Sequence, residues 1–226
     1  MITSKEAARL IDISAVKTAH TLSDLAQVVF YAKKYNFINV HVLPNWVKLL
    51  SEMLKDSTEI YAGAPVGFPG GAHRTETKLL EAELLIEDGV QEMDIMMNVG
   101  RFKNKEYSYV RDELTQIVRI TPRNVLTKVI IEVNALEDAE LEKACEIVIS
   151  SGADFLKTGT GWIPGGANLE RIKKIKQICG KDVKIKAAGG IRTPEEFLHL
   201  YDMGVERFGI NTKSAIEIVE YFNCSM

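Results

Sequence analysis

The stretch from Asp154 to Arg192 decides the fold. It opens with Asp154-Phe-Leu-Lys-Thr-Gly-Thr-Gly161 and closes with Lys184-Ile-Lys-Ala-Ala-Gly-Gly-Ile-Arg192. In both segments a short apolar run carries a lysine near its end and leads into a turn that contains glycine. Between them, apolar residues follow helical spacing from Leu169 to Cys179. A strand, a helix and a second strand in this order predict two parallel strands joined by a helix.

The same alternation runs along the whole chain. We predict eight strands, near Leu10–Ile13, Ile38–Val42, Glu59–Val66, Glu92–Met97, Thr127–Val133, Phe155–Thr158, Val183–Ala187 and Arg207–Ile210. We predict helical segments between them, at Leu22–Tyr35, Glu76–Asp88, Tyr107–Thr121, Glu137–Ser151, Leu169–Cys179 and Pro194–Met203. Eight such units in 226 residues predict an α/β protein with a closed (β/α)8 TIM barrel. The alternative is a doubly wound open sheet, but its first turn lacks the Gly-rich dinucleotide fingerprint.

Composition limits the partners. No Pro- or Ser-rich linker divides the chain, so we expect one domain over residues 1–226. The formal charge is −3, with no basic patch or long like-charge run, which favours a small-molecule partner over nucleic acid or an anionic membrane. No stretch is long and apolar enough to span a membrane, and the first residues do not resemble a secretory signal. An odd number of widely spaced cysteines is typical of reduced thiols in the cytoplasm and not of a disulfide framework. Cys145 is expected to be a packing residue of a helix.

Lys157 and Lys186 are the candidates for chemistry. A buried strand end disfavours an ammonium, because desolvation lowers the pKa of the amine, and a neutral amine is a nucleophile. The alternative is that each lysine ends an exposed strand and extends to water. Two lysines in similar surroundings favour the chemical interpretation.

Other polar residues are predicted to meet these lysines. Active sites of such barrels lie at the carboxyl ends of the strands, and alternation within four consecutive strands directs Asp94, Glu132, Lys157 and Lys186 toward that end. Like charges held close oppose each other's ionisation, so one lysine can keep the other neutral and able to add to a carbonyl. The alternative is a closed salt-bridge network that plugs the barrel.

The last two loops are candidates for an anion site. Gly189-Gly190 and the segment Gly209–Lys213 follow the seventh and eighth predicted strands, where backbone N–H groups and a helix N-terminus can hold a phosphate. Glycine pairs also form plain turns. His41 is either a ligand of a sugar hydroxyl or a hydrogen-bonded core residue. The four histidines show no metal-ligand spacing, which argues against a metal-dependent enzyme.

With these residues in hand, the chain resembles the deoxyribose-phosphate aldolases, class I aldolases built on a (β/α)8 barrel. The resemblance runs from Ile11-Asp12 to Ala215-Ile216. It is strongest in five segments, which are Gly67-Phe-Pro-Gly-Gly-Ala72 with Thr75-Glu-Thr-Lys78, Glu92-Met-Asp-Ile-Met-Met-Asn-Val-Gly100, Lys128-Val-Ile-Ile-Glu132, Gly152-Ala-Asp-Phe-Leu-Lys-Thr-Gly-Thr-Gly161 and Lys186-Ala-Ala-Gly-Gly-Ile-Arg-Thr193.

The resemblance implies a function for each catalytic candidate. Lys157 matches the lysine that forms the Schiff base in that family. Lys186 matches a second lysine, which lowers the pKa of the first, and Asp94 matches the aspartate that takes part in proton transfer. The implied reaction is reversible cleavage of 2-deoxy-D-ribose 5-phosphate, without metal or organic cofactor, in a dimer or tetramer. Expected substrate or phosphate contacts are Asp12, His41, Glu132, Gly159, Gly189, Gly190, Asn211, Thr212 and Lys213.

Several positions depart from the family pattern in regions that would recognise substrate. They are Asp12-Ile13-Ser14 for Asp-His-Thr, His41-Val42-Leu43-Pro44 for Cys-Val-Asn-Pro, Thr158-Gly159-Thr160-Gly161 for Thr-Ser-Thr-Gly, Lys184 for glycine, Ala188-Gly189-Gly190 for Ser-Gly-Gly, and Asn211-Thr212 for Ser-Ser. The catalytic set is kept while the recognition set is altered, and Trp162 is predicted to form a wall of the pocket. Two alternatives therefore stay open: an aldolase of the same chemistry with another deoxy-sugar substrate, and a sugar-phosphate-binding barrel without turnover.

Overall fold

Eight parallel strands close into a barrel in chain order, with β8 paired to β1. The computed structural model describes residues 2–165 and 168–224. The strands are β1 Ile11–Ala15, β2 Asn39–Val42, β3 Tyr61–Val66, β4 Glu92–Met96, β5 Leu126–Ile130, β6 Phe155–Lys157, β7 Lys184–Ala188 and β8 Arg207–Gly209. The predicted (β/α)8 barrel is confirmed, and the open sheet is excluded by the closure between β1 and β8.

Helices surround the barrel. They are α1 Ser4–Ala8, α2 Leu22–Tyr35, α3 Val47–Leu54, α4 Thr75–Glu87, α5 Val99–Lys103, α6 Tyr107–Ile120, α7 Leu141–Ser151, α8 Leu169–Cys179, α9 Pro194–Asp202 and α10 Thr212–Cys224. The predicted bounds of α2 and α8 match to the residue. Four helices were not predicted, namely α1, α3, α5 and α10.

Local sequence explains where helices begin and end. The predicted capping box at α9 is present, since the Thr193 side chain accepts from the backbone of Glu196 and the Glu196 carboxylate accepts from Thr193. Thr21 and Asp24 form the same arrangement at α2. At the end of α7, Gly152 takes the left-handed conformation with φ +81°. These caps fix where each chain segment enters and leaves the barrel wall.

The fifth predicted strand was too long. It ends at Ile130 instead of Val133, because Glu132 adopts a left-handed conformation with φ +50° and a 3-10 helix follows at Val133–Ala135. The helix predicted from Glu137 likewise begins with a 3-10 turn at Asp138–Glu140 before α7. Glu132 therefore lies in the loop after β5, beyond the last residue of the strand.

Apolar side chains fill the layer between strands and helices. Val129, Leu156 and Ile185 point to this layer and are fully buried. Cys145 packs within α7 as predicted, and both Cys145 and Cys179 are buried free thiols; the side chain of Cys224 lies outside the described residues. Across the described ranges, no helix has the length and apolar character needed to cross a membrane.

Candidate active site

A cavity of about 420 Å³ opens at the carboxyl ends of the strands. Both candidate lysines reach it, together with residues from several loops. Its polar and glycine lining includes Asp12, Ser14, Lys17, His41, Lys157, Thr160, Lys186, Gly189, Gly190, Arg192, Gly209 and Asn211. The location matches the predicted position of the site at the barrel mouth.

Lys157 and Lys186 meet on one carboxylate. Their backbones are direct partners in the pairing of β6 with β7, so both side chains point into the barrel at the same level. Each ammonium nitrogen lies 2.8 Å from Oδ2 of Asp94, which is fully buried. Lys157 is 9% exposed and Lys186 is 1% exposed, and both contact the cavity. The structure thus brings together the three residues for which the resemblance implied catalysis.

A second layer of charge lies beneath them. Lys186 Nζ is also 2.5 Å from Asp12 Oδ2, and Arg207 bonds Asp12 Oδ1 over 2.7 Å. Arg207 bonds Glu92 over 2.9 Å as well. Lys128 pairs with Glu92 and lies 3.4 Å from Asp94 Oδ1. A salt-bridge network, one of the two predicted alternatives, therefore does fill the barrel interior. It does not plug the barrel mouth, because the cavity stays open above Lys157.

Asp12 lines the cavity but is mostly occupied by the network. Its two carboxylate oxygens face Lys186 and Arg207, and it is 2% exposed, so its contact with substrate stays a prediction. Sequence reasoning also missed Glu92, Lys128 and Arg207 as partners of the site. Alternation within β4 could have found Glu92, because it shares a face with Asp94.

The network makes Lys157 the group that gives up its proton. The cluster has four cations (Lys128, Lys157, Lys186, Arg207) and three carboxylates (Asp12, Glu92, Asp94). Burial lowers the pKa of Lys157, and the charge of Lys186 lowers it further against the pull of Asp94. Burial also opposes the charge on Lys186, but Asp12 and Asp94 raise its pKa above the usual value. Of the two amines, Lys157 is therefore the one that loses its proton more readily.

Asp94 stays ionised between these cations. Burial works to raise its pKa, yet nearby His41, Lys157, Lys186 and Lys128 hold that pKa well below the usual range. An ionised carboxylate can accept a proton during a reaction. Asp94 is thus positioned to exchange protons with both lysines.

Glu132 and Gly159 do not line the cavity, so their contact with substrate stays a prediction. Thr160 donates its backbone N–H over 3.1 Å, and also its hydroxyl, to Oε2 of Glu132. A Cβ at Gly159 would lie 2.8 Å from Oε1 of Glu132, so a side chain there would require the Glu132 carboxylate to shift. Both residues position Thr160, which does contact the cavity.

The two anion-binding loops are only partly as predicted. Gly189, Gly190 and Asn211 line the cavity. Thr212 and Lys213 do not, because the first turn of α10 directs them to a separate surface depression. The Lys213 side chain is 86% exposed and lies 4.0 Å from Glu217.

Two other cations line the cavity instead. Arg192 follows the Gly-Gly pair by two residues, and Lys17 follows β1. Both are exposed, and neither side chain pairs with a carboxylate in the described part of the chain. Arg192 is the last residue of the segment Lys184–Arg192, which also contains Lys186. Its position just after a glycine pair could have indicated a cation at the anion site, but the sequence prediction did not include it.

An aromatic pair forms one wall. Trp162 packs its edge against Phe68, with ring centroids 5.5 Å apart, and both line the cavity. The prediction that Trp162 forms a wall is confirmed. Over residues 2–165 and 168–224, no three His, Cys, Asp or Glu side chains are grouped so that they could hold a metal ion.

Fold and site together define a class of protein: a (β/α)8 barrel with a lysine-centred site for carbonyl chemistry at its mouth. No family model matches the chain. It is 46% identical over 216 residues to the deoxyribose-phosphate aldolase of Rhizobium meliloti, covering 95% of this chain and 86% of that protein. The solved aldolase QR15 is 36% identical with a TM-score of 0.91, over 97% of this chain and 96% of its own. The chain belongs to the deoxyribose-phosphate aldolase family.

A more distant structure agrees on the fold. The deoxyribose phosphate aldolase of Aeropyrum pernix, described as a unique tetramer, is 24% identical with a TM-score of 0.89. The match covers 99% of this chain and 94% of that one. At this identity the comparison supports the barrel alone.

Proposed function

We propose that this protein reversibly cleaves 2-deoxy-D-ribose 5-phosphate to D-glyceraldehyde 3-phosphate and acetaldehyde through a Schiff base on Lys157. The observation that carries the proposal is the shared carboxylate oxygen of Asp94, with Lys157 and Lys186 each 2.8 Å away. Lys157 has the lowered pKa and Lys186 the raised one, which is the difference that a nucleophile and an acid require.

The reaction begins at C1 of the open-chain aldehyde. The neutral Lys157 amine adds to C1, and loss of water gives an iminium. Removal of the C3 hydroxyl proton lets the C2–C3 bond break, and D-glyceraldehyde 3-phosphate leaves. The electron pair of that bond moves into the iminium and produces an enamine. Protonation of the enamine at C2, followed by hydrolysis with water, releases acetaldehyde and restores the amine.

Asp94 and Lys186 are the proton carriers in this scheme. The ionised Asp94 accepts protons, directly or through a water molecule, and the ammonium of Lys186 supplies positive charge and a proton beside the reacting nitrogen. Both groups are already positioned within hydrogen-bond distance of each other.

The phosphate is assigned to the loops after β7 and β8. Gly189 and Gly190 take left-handed conformations, with φ +95° and +80°, that few other residues adopt. These two glycines line the cavity together with Arg192 and with Asn211, which precedes the first turn of α10. This combination of N–H donors and a cation suits a phosphate dianion, and Lys17 adds a second positive charge.

A second candidate is the same chemistry with another deoxy-sugar or short aldehyde. The Phe68–Trp162 pair favours it, because an aromatic wall contacts apolar atoms better than a phosphate. The third interpretation, a sugar-phosphate-binding barrel without turnover, requires that Lys157 remain an ammonium. The lowered pKa of Lys157 argues for turnover.

Cleavage of phosphorylated and unphosphorylated deoxyribose separates these candidates. We expect turnover of 2-deoxyribose 5-phosphate by the wild-type chain and loss of turnover in Lys157→Ala. Preference for the unphosphorylated sugar would favour the second candidate. Near-normal turnover by Lys157→Ala would reject the Schiff-base mechanism.

We also propose a homo-oligomer, a dimer or tetramer, that acts in the cytoplasm. The family resemblance supports the assembly, and the odd number of cysteines supports a reducing compartment. Light scattering coupled to gel filtration tests the assembly. A monomeric mass over the working concentration range would contradict it.

A further inference from the structure

His41 lies next to the shared carboxylate and has one ring nitrogen without a partner. It stands on β2 two residues after Asn39, so both side chains point into the barrel. Nδ1 of His41 is 2.7 Å from the side-chain amide of Asn39, and Nε2 is 3.3 Å from Oδ2 of Asp94. His41 is 5% exposed and lines the cavity.

When Oδ1 of the Asn39 amide faces His41, two buried groups lack a hydrogen-bond partner. With Oδ1 facing the imidazole, Nδ1 must carry the ring hydrogen, and the lone pair of Nε2 then faces an anionic oxygen. In that arrangement neither Asn39 Nδ2 nor His41 Nε2 has a hydrogen-bond partner, although both are buried. Buried polar groups without partners are costly. The two ends of an amide are distinguished by their hydrogen bonds, so the opposite orientation has to be considered.

Reversing the amide gives both nitrogen atoms a partner and leaves only the amide oxygen at the position without one. Asn39 Nδ2 then donates to Nδ1 of His41, the ring hydrogen moves to Nε2, and Nε2–H faces Oδ2 of Asp94. The ring is neutral, because burial and the charges of Lys186, Lys128 and Lys157 lower its pKa well below the usual value against the pull of Asp94. A neutral imidazole has one N–H, so the orientation of Asn39 decides where it points.

The neighbouring strand leaves room for this pair. A Cβ at Gly63 of β3 would lie 2.3 Å from Nδ1 of His41 and 2.7 Å from Nδ2 of Asn39. Any side chain at this position would displace both groups. Gly63 therefore allows the imidazole and the amide to stay in contact.

We propose that Asn39 and His41 are positioning residues for Asp94, with the Asn39 amide donating to Nδ1 and Nε2–H of His41 donating to Oδ2. The role rests on the proposed function. Oδ2 is also the oxygen that Lys157 contacts, and Lys157 must turn to the substrate when it forms the imine. Lys186 and His41 then remain as the two donors that hold the carboxylate where protons are exchanged.

The tautomer is measured on the wild-type chain. Long-range ¹H–¹⁵N correlation spectra of protein with ¹⁵N-labelled histidine distinguish the two neutral forms, and His41→Gln identifies the His41 signals by their loss. We expect His41 to be neutral with the hydrogen on Nε2 at pH 7. A hydrogen on Nδ1 would overturn the assignment. This readout needs neither activity nor a folded His41→Leu variant.

Kinetics then test the consequence for Asp94. His41→Leu removes the donor with little change in volume, whereas a glutamine carries an N–H near the position of Nε2. We expect kcat to fall about tenfold or more in His41→Leu with KM within about twofold, and His41→Gln to recover part of the loss. Equal losses in both variants, or an unchanged kcat in His41→Leu, would reject the positioning role.

Imine trapping keeps the two proposals apart. With acetaldehyde and borohydride, His41→Leu is expected to form the adduct on Lys157, while exchange of acetaldehyde methyl protons with D₂O slows. Absence of the adduct in the wild-type chain would reject the proposed function and leave the tautomer result to decide the assignment of His41. Unchanged exchange in His41→Leu would contradict the inference alone.

Discussion

Lys157 and Lys186 donate to the same carboxylate oxygen, Oδ2 of Asp94, each over 2.8 Å. Lys186 has a second carboxylate, Asp12, at 2.5 Å, while Lys157 has the cavity on its other side. This difference in partners shifts the pKa values of two neighbouring lysines in opposite directions, down for Lys157 and up for Lys186.

Removal of Lys186 is expected to raise the pKa of Lys157. Asp94 then pairs chiefly with Lys157, and the opposing positive charge is lost. In Lys186→Met, the rate of imine trapping at Lys157 should therefore begin to rise at a higher pH than in the wild-type chain. The trapping rate is measured from pH 5 to 10, at intervals of about half a pH unit.

Lys184→Met is the matched control for this shift. Lys184 lies on the same strand, is exposed, and has its Nζ 5.5 Å from the Phe155 ring centroid. The control should keep the wild-type pH profile. An unshifted profile in Lys186→Met would contradict the pairing of charges described here.

The two lysines should differ in what they contribute to stability. Lys186→Met leaves Asp12 and Asp94 short of a buried partner, and we expect it to lower the free energy of unfolding by about 3–5 kcal/mol. Lys157→Met removes the lysine whose pKa is lowered, and Asp94 keeps Lys186 as a partner, so the free energy of unfolding should stay within about 1 kcal/mol of wild type or exceed it. Urea unfolding at pH 7 measures both, and a larger loss in Lys157→Met would reverse the assignment.

Acid should unfold the protein through the buried carboxylates. Burial opposes the charge on Asp12 and Asp94, but their cations hold both pKa values below the usual range. A lowered folded pKa contributes stability above the unfolded pKa, about 3.9, and that stability is lost as the pH falls further. The urea concentration at the midpoint of unfolding should fall between about pH 4 and pH 2. A constant midpoint over this range would contradict the stabilisation of the folded state by these buried carboxylates.

Arg192 is expected to discriminate phosphorylated from unphosphorylated substrate. Arg192→Gln should raise KM for 2-deoxyribose 5-phosphate by about tenfold, because one charge-assisted contact is lost, and leave the unphosphorylated sugar unaffected. Lys213→Gln is the control, since Lys213 lies outside the cavity. A similar rise in KM for Lys213→Gln would support the prediction from the sequence that Lys213 contacts the phosphate.

Gly159→Ala should disturb the loop after β6. The added Cβ would lie 2.8 Å from Glu132 Oε1 and displace the carboxylate that holds Thr160. We expect faster amide exchange at Thr160 and a lower kcat/KM. Gly70→Ala is a suitable control, because a Cβ there meets no atom within 4 Å; equal exchange rates in the two variants would reject the role of Glu132.

Much of the site could be predicted because strands alternate with period two. That period placed Asp94, Lys157 and Lys186 on inward faces, and chain order placed their strands within the consecutive series from β4 to β7. The partnership of Asp12 with Arg207 depends on closure of β8 onto β1, which brings residues 195 positions apart into contact. Strand patterns do not indicate which inward side chains then meet.

The remaining errors have local causes. Glu132 was assigned to a strand because its neighbours are apolar, but its left-handed backbone ends the pairing. Lys213 was assigned to the anion site by its position in the loop, whereas the unpredicted helix α10 directs it outward. Both depend on backbone direction at the end of a strand, where residue type is a weak guide.

Borohydride trapping with acetaldehyde, followed by peptide mass spectrometry, tests the central claim most directly. The account predicts a two-carbon adduct on Lys157 at pH 7, and none on Lys186, because burial lowers the pKa of Lys157 whereas Asp12 and Asp94 raise the pKa of Lys186. An adduct on Lys186 in place of Lys157, or no adduct on any lysine of a folded sample, would contradict it.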